Sequence, residues 1–192
     1  MTRYSAALIF FLLAACTGND LLGQQPGANS SSALRVRGED LLTRPVGENW
    51  PSYNGDYTGR RFSSLREINR SNVAQLRAAW VFHPGNTQRL EATPVVVNGV
   101  MYLTSANDVY ALDAATGRTL WHYARPISSG LLDDAAAHKS RGVAVWQQYV
   151  YSETDDAHLL CLDSRSGNLI WDVQYADKVK QYGATSAPLV VR

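Results

Sequence analysis

The chain has 192 residues, a formal net charge of +1 and a hydrophobic content of 45%. This balance gives no support for a nucleic-acid partner or an acidic solvating tail, and the apolar content is enough for a packed core. Two cysteines are too few for a disulfide framework, and five Trp and ten Tyr against two Met favour strands over helices.

The first 15 residues predict an export signal. Arg3 and the amino terminus supply positive charge ahead of an unbroken apolar run from Ala6 to Ala15. A run of this length rises only about 15 Å as a helix, half of a bilayer core, so it is not a spanning helix. It is typical of a signal peptide and takes no part in the fold.

The end of this run resembles the lipobox of bacterial lipoproteins. Small residues precede Cys16, whose sulfur would receive a lipid and which would become the first residue after cleavage. The alternative is a plain secretory signal with a chance cysteine. We predict lipidation of Cys16 and an exported, periplasm-facing, membrane-anchored protein. Thr17 in place of Asp leaves the outer membrane open as its destination.

Residues 16–42 are rich in Gly, Asn, Ser and Gln and show little apolar periodicity. This composition predicts a flexible tether. The globular part is then expected over residues 43–192.

A repeat of about fifty residues dominates this globular part. The segment Tyr110–Trp121 is similar to Leu160–Trp171, and Leu112, Asp113, Gly117 and Trp121 each recur at an offset of 50. In each copy, the Asp can accept hydrogen bonds from turn amides, and the Gly can take the positive φ that closes the turn. The recurring Trp would pack between neighbouring units.

Four short strands are predicted in the first repeat. Thr93–Val97 and Val100–Thr104 flank an Asn98-Gly99 hairpin turn, and Val109–Leu112 and Thr119–Tyr123 follow. Four strands in about fifty residues are typical of a propeller blade. The fold class is therefore all-β, an incomplete β-propeller with tryptophan-docking motifs. A sandwich of unrelated hairpins is the alternative, but it does not explain the constant offset.

The blades are predicted at residues 91–123 and 141–173, and a third begins at residue 185. Propellers close with about four to eight blades. Two blades leave open faces and edges, so we expect this chain to be a truncated product or a fragment.

One polar residue precedes the innermost strand of each blade in the same phase. Glu91 lies three positions before Pro94, Arg141 three before Ala144, and Thr185 three before Pro188. In a propeller this phase lies near the central axis, so the three side chains would converge on an axial pocket. The alternative is that they are exposed loop residues.

Several segments resemble quinoprotein dehydrogenases that use pyrroloquinoline quinone (PQQ), such as alcohol and methanol dehydrogenases. The segments Trp50–Leu65 and Ile68–Trp80 resemble that family's leader, and Ala111–Trp121 resembles its docking motif A-x-D-x-x-T-G-x-x-x-W. The second copy departs, with Cys161 for Ala and Ser166 for Thr. The resemblance covers residues 50–192.

The resemblance implies that Glu91, Arg141 and Thr185 contact PQQ. It also implies an alcohol, polyol or sugar substrate oxidised by hydride transfer, a calcium or lanthanide ion, and a cytochrome or quinone as electron acceptor. The metal ligands and the catalytic aspartate would lie after residue 192. This chain is therefore expected to hold part of a cofactor site, with no catalytic residue or metal ligand, and to be inactive alone.

One departure bears on the substrate. Many alcohol-oxidising members have adjacent cysteines where this chain has Ala135 and Ala136, and Ser140 replaces the usual Asn. A vicinal disulfide cannot form, which favours a sugar or polyol relative or a degenerate copy. The long loop 122–140 is still expected to form a wall of the pocket.

A non-enzymatic alternative stays open. Some outer-membrane lipoproteins are propellers with the same docking repeat and act as assembly scaffolds without a cofactor. The lipobox suits them, whereas the leader and the Glu91, Arg141 and Thr185 set suit the dehydrogenases better.

Overall fold

The computed structural model describes residues 35–85, 89–132 and 138–191. The predicted signal peptide, Cys16, most of the tether, Ala135 and Ala136 lie outside these ranges. The described residues contain the short helix α1 (Gly38–Leu42) and two 3-10 helices (Val73–Gln75 and Lys178–Lys180). Within them, no helix is long and apolar enough to cross a bilayer.

Two four-stranded antiparallel sheets follow one another along the chain. Sheet 1 contains β1 (Val95–Val97), β2 (Val100–Ser105), β3 (Asp108–Asp113) and β4 (Thr119–Tyr123). Sheet 2 contains β5 (Ala144–Trp146), β6 (Tyr149–Glu153), β7 (His158–Asp163) and β8 (Leu169–Gln174). Each strand pairs with the next in sequence, which is the meander of a propeller blade. The predicted incomplete all-β propeller is confirmed.

The Asn98-Gly99 turn joins β1 to β2 as the sequence predicts. Asn98 has φ 49° and Gly99 has φ 79°. Positive φ at both central residues is the type I′ arrangement, whose twist matches that of the flanking strands.

The second recurring turn is built alike in both sheets. Asp113 Oδ1 accepts from the Thr116 backbone N at 2.9 Å and from its hydroxyl at 2.8 Å. Asp163 Oδ1 makes the same two bonds with Ser166, again at 2.9 and 2.8 Å. The change from Thr to Ser in the second copy therefore keeps the hydroxyl that the turn needs.

The main core lies between the two sheets and is closed by Trp121. This ring is 8% exposed, its Nε1 donates to the Ser164 carbonyl at 3.0 Å, and a Cβ on Gly167 would come within 2.6 Å of it. The predicted packing of this tryptophan between neighbouring blades is confirmed. Buried aliphatic residues fill the rest of the core, among them Val95, Val97, Val143, Val145, Val150 and Leu162.

Trp80 covers the opposite face of sheet 1. It packs against Leu103, Tyr110 and Leu112, donates to the Ala114 carbonyl at 3.2 Å, and would meet a Cβ on Gly117 at 2.6 Å. Trp80 therefore contacts sheet 1 as Trp121 contacts sheet 2, although it lies outside the fifty-residue repeat.

Residues 35–42, which the sequence analysis assigns to the tether, pack against the sheets. Val36 is 1% exposed and Leu41 is 4% exposed, and Val36 forms an antiparallel bridge with Gln147. Two apolar side chains in a polar stretch are enough to dock it, so the ordered part begins before residue 43.

Candidate functional site

Glu91, Arg141 and Thr185 lie in contact in the structure. Arg141 Nη1 donates to the Thr185 hydroxyl at 2.8 Å and to the Thr185 carbonyl at 3.1 Å. Its Nη2 lies 3.6 Å from Glu91 Oε2. Successive members of the three are 50 and 44 positions apart in sequence, so their shared phase in the repeat brings them together as expected.

Backbone hydrogen bonds connect the three entry segments. The Thr93 N–H donates to the Arg141 carbonyl at 2.9 Å, and the Arg141 N–H donates to the Thr185 carbonyl at 3.1 Å. These bonds run from the start of sheet 1 to the start of sheet 2 and on to the segment that follows. They fix the spacing between the side chains before any ligand binds.

Gly142 allows this close approach. It has φ 138°, and a Cβ there would lie 2.9 Å from the Thr93 carbonyl oxygen. Any other residue would strain this backbone and force one of the two entry segments to shift.

Lys139 is a fourth residue of the site and its third charged one, and the predicted set of site residues does not include it. Its Nζ lies 3.6 Å from Glu91 Oε2, the oxygen that Arg141 also contacts. The signal that could have found it is its position two residues before Arg141, which places it on the same entry segment.

Tyr53 and Arg61 form a neighbouring corner. The Arg61 guanidinium carbon lies 4.8 Å from the centre of the Tyr53 ring. A hydrogen bond with Arg61, then one with Thr93, lowers the pKa of the Tyr53 hydroxyl, and the charge of Arg141 adds to the effect. The phenol is thus a polar neighbour of Arg141, supplied by the segment before the first sheet.

The arrangement suits an anionic, planar ligand. A guanidinium presents its N–H groups in one plane and can bind paired oxygens. The Thr185 hydroxyl accepts from Arg141 and keeps its own proton to donate. The side chains of Glu91 and Arg141 are 36% and 37% exposed, so a ligand can reach both.

Metal binding has no support among the described residues. Within residues 35–85, 89–132 and 138–191, no group of three His, Cys, Asp or Glu side chains could hold an ion. Cys161 is 1% exposed in β7, and burial raises the pKa of its thiol, so it is a small buried strand residue.

A family profile matches residues 50–191, and its description reads "PQQ: Glucose/ethanol/alcohol dehydrogenase, beta-propeller domain". Among curated proteins, the quinohemoprotein alcohol dehydrogenase ADH IIB of Pseudomonas putida is 37% identical over 183 residues, which is 94% of this chain and 26% of that protein.

Two solved structures resemble the chain at similar identity. The quinohemoprotein alcohol dehydrogenase of Comamonas testosteroni matches with a TM-score of 0.72 and 33% identity, over 84% of this chain and 25% of that one. A europium-containing methanol dehydrogenase matches with a TM-score of 0.70 and 33% identity, over 80% of this chain and 27% of that one. The chain therefore spans about a quarter of the length of these relatives.

Proposed function

This chain belongs to the family of PQQ-dependent glucose, ethanol and alcohol dehydrogenases, and we propose that it supplies one wall of the PQQ site in a protein that oxidises an alcohol. The observation that carries this proposal is the contact of Arg141 with both Thr185 and Glu91.

The donor set fits PQQ, a flat ortho-quinone that carries carboxylates. Arg141 would hold ligand oxygens in the plane of its guanidinium and offset negative charge. Thr185 would donate its hydroxyl to a carboxylate, and Glu91 would accept from a ring N–H while it orients Arg141. When bound, PQQ supplies a two-electron acceptor for the hydride of a substrate.

In this proposal, the residues of this chain bind PQQ and orient it. The backbone bonds between Thr93, Arg141 and Thr185 hold the guanidinium in place before a ligand arrives, so little ordering is needed on binding. The contact with Glu91 limits rotation of the guanidinium about its last bonds. The role that we propose for this chain is therefore to hold the cofactor, and residues outside it would deprotonate the substrate.

Calcium or a lanthanide would act beside the quinone as a Lewis acid, held by ligands outside this chain. A cytochrome or a membrane quinone is the electron acceptor that we propose. The word quinohemoprotein in the names of two relatives supports a haem acceptor for those proteins. This chain has no C-x-x-C-H sequence for haem attachment.

An alcohol is the substrate class that the comparisons favour. The relatives named above are alcohol and methanol dehydrogenases, whereas the alanines at 135 and 136 favour a sugar or polyol relative or a degenerate copy. The same relatives do not favour the cofactor-free scaffold. Export and lipid attachment at Cys16 stay predictions from the sequence of residues 1–16, which labelling with palmitate would test.

The test is retention of PQQ by the full-length gene product. Protein is mixed with PQQ and calcium and desalted, and the quinone absorbance that stays with it is measured. Arg141→Ala should weaken binding about 10- to 100-fold, because a hydrogen bond to a charged group is worth about 1.5–3 kcal/mol.

Arg118→Ala is the matched control, because Arg118 is exposed in the turn between β3 and β4. It should change binding by no more than about twofold. Equal losses in the two variants would remove Arg141 from the site. Absence of retained quinone in the unmodified protein would favour the scaffold alternative.

A further inference from the structure

The positively charged groups of Lys139 and Arg141 both lie beside one carboxylate oxygen of Glu91. Both lie 3.6 Å from Glu91 Oε2. One carboxylate balances one cation, so the three side chains carry one net positive charge in a site that is only partly exposed. The Lys139 side chain is 20% exposed and thus more buried than its two partners.

The backbone around Lys139 is held on both sides. Before it, His138 Nδ1 lies 3.1 Å from Asp155 Oδ2, and the Asp155 side chain is 2% exposed. After it, Ser140 is 2% exposed, and its carbonyl accepts from the Thr104 hydroxyl at 3.4 Å. Lys139 therefore occupies a fixed place beside Arg141.

Asp155 ties this anchor to the loop that follows sheet 1. Its carboxylate accepts from the Ser128 backbone N at 2.9 Å, from the Ser128 hydroxyl at 2.8 Å and from Asn107 Nδ2 at 2.8 Å. A buried carboxylate with this many donors is a firm attachment point. The segment 138–140 is thereby connected to both sheets.

Resting on the proposed function, we propose that Lys139 is a further binding residue of this site, and that its ammonium group pairs with a carboxylate of the anionic quinone. Glu91 neutralises only one of the two cations, and a carboxylate of the ligand would neutralise the other. Burial of the Lys139 stem makes that attraction stronger than at an open surface, where salt and water screen it.

A purely structural role for Lys139 predicts something different. If Lys139 only neutralised Glu91, its removal would matter through Glu91 alone. Its effect would then disappear once Glu91 is neutral, and it would be independent of the charge on the ligand. If Lys139 pairs directly with the ligand, its removal should weaken binding whether residue 91 is Glu or a neutral side chain. That weakening should vanish when the ligand has no carboxylates.

The experiment measures the dissociation constant of PQQ with the full-length gene product and its Lys139→Met and Lys178→Met variants. Lys178 is an exposed lysine in a 3-10 helix, so its removal makes the same change in net charge. Lys139→Met should weaken PQQ binding about five- to twentyfold at low salt, the gap to the unmodified protein narrowing as salt rises. Lys178→Met should stay within about twofold.

Two further arms decide the mechanism. In an E91Q background, Lys139→Met should still weaken PQQ binding, and the trimethyl ester of PQQ should bind the Lys139→Met and unmodified proteins alike. Equal PQQ affinities for Lys139→Met and Lys178→Met would overturn this inference. It would also be overturned if Lys139→Met weakened PQQ binding only when Glu91 is present and not in the E91Q protein. Either result would leave the proposed function intact, provided that Arg141→Ala still weakens PQQ binding. Failure of the unmodified protein to bind PQQ rejects both.

Discussion

Arg125 joins two carboxylates of the second blade, one in the turn between β6 and β7 and one in β8. Its Nη2 lies 3.3 Å from Asp156 Oδ2, and its Nη1 contacts Asp172. His158 Nδ1 lies 2.6 Å from the other oxygen of Asp172. Arg125 belongs to the segment after sheet 1, so this ion-pair network connects the two blades.

The network lowers the pKa of both carboxyls. Burial by itself would raise each value, but the Thr154 hydroxyl and the charge of Arg125 lower the pKa of Asp156. His158 and Arg125 lower the pKa of Asp172. Both groups thus titrate below the ordinary value of 3.8. The stability they contribute is complete above that value and is lost as the pH falls through the folded pKa values.

Arg125→Gln should therefore destabilise the protein most near neutral pH. The side chains of Arg125 and Asp156 are 20% and 9% exposed, so we expect a loss of about 1–3 kcal/mol at pH 7. The deficit should shrink as the pH falls below 3.8 and passes through the lowered pKa values, because both carboxyls become protonated there. Urea unfolding at several pH values measures it.

The control for this charge change is Arg77→Gln, because Arg77 is exposed and donates to the Leu76 carbonyl. It should have a small effect that does not vary with pH. A deficit for Arg125→Gln that stays constant from pH 7 to pH 2 would contradict the electrostatic explanation.

At the scale of elements, a tryptophan packed on a glycine joins each sheet to the part of the chain that precedes it. Trp80 lies on Gly117 and Trp121 lies on Gly167, and both glycines have φ near 70°. The turn that each glycine closes is ordered by an aspartate, Asp113 or Asp163. The turn residues therefore serve the contact between blades as well as the hairpin.

Gly167→Ala separates these two roles when it is compared with Gly99→Ala. Gly99 has φ 79° with nothing within 4 Å of its Cβ position, whereas a Cβ on Gly167 would come within 2.6 Å of Trp121. Gly99→Ala should cost about 1–2 kcal/mol through backbone strain alone. Gly167→Ala should cost about 2–5 kcal/mol, because overpacking against Trp121 is added.

Thermal or urea unfolding of the two variants measures the difference. Near-ultraviolet circular dichroism should also change in Gly167→Ala alone, because only there is the environment of Trp121 disturbed. Equal destabilisation would show that strain in the turn accounts for the whole effect.

The sequence predicted the elements that the repeat encodes. Strong turn residues and the fifty-residue offset locate the hairpins, the aspartate turns and the Trp121 contact, because each depends on local chemistry or on one neighbouring unit. Trp80 was missed as a docking residue because it lies 41 residues before Trp121, outside that offset. Val36 was assigned to the tether because its partner, Gln147, is more than a hundred residues away.

The residues of the site could likewise be predicted only where they follow the repeat. The phase of Glu91, Arg141 and Thr185 predicts their proximity, since equivalent positions of neighbouring blades face one another. Lys139 carries no repeat signal, and its direction depends on His138, which Asp155 anchors from another loop. Its position two residues before Arg141 places it on the same entry segment, but spacing does not show that this tertiary anchoring brings it to Glu91.

At the scale of the whole molecule, the contact between units is directional. One unit contributes the tryptophan and the next contributes the glycine turn, so each interface is head-to-tail. Repetition of a head-to-tail contact generates a ring or an open helix. The third tryptophan of the series, Trp171, is 37% exposed, against 8% for Trp121. The strand that carries it also exposes Leu169, Ile170 and Val173.

Quenching of tryptophan fluorescence by acrylamide reports whether a further unit covers this face. In the 192-residue chain, Trp171→Phe should lower the quenching slope, because it removes an accessible ring, whereas Trp121→Phe should raise it by removing a protected one. A slope that rises in Trp171→Phe, as it should in Trp121→Phe, would show that the ring is already covered. In a longer product with another docking unit we expect that rise, because a following aspartate–glycine turn would bury Trp171 as Gly167 buries Trp121.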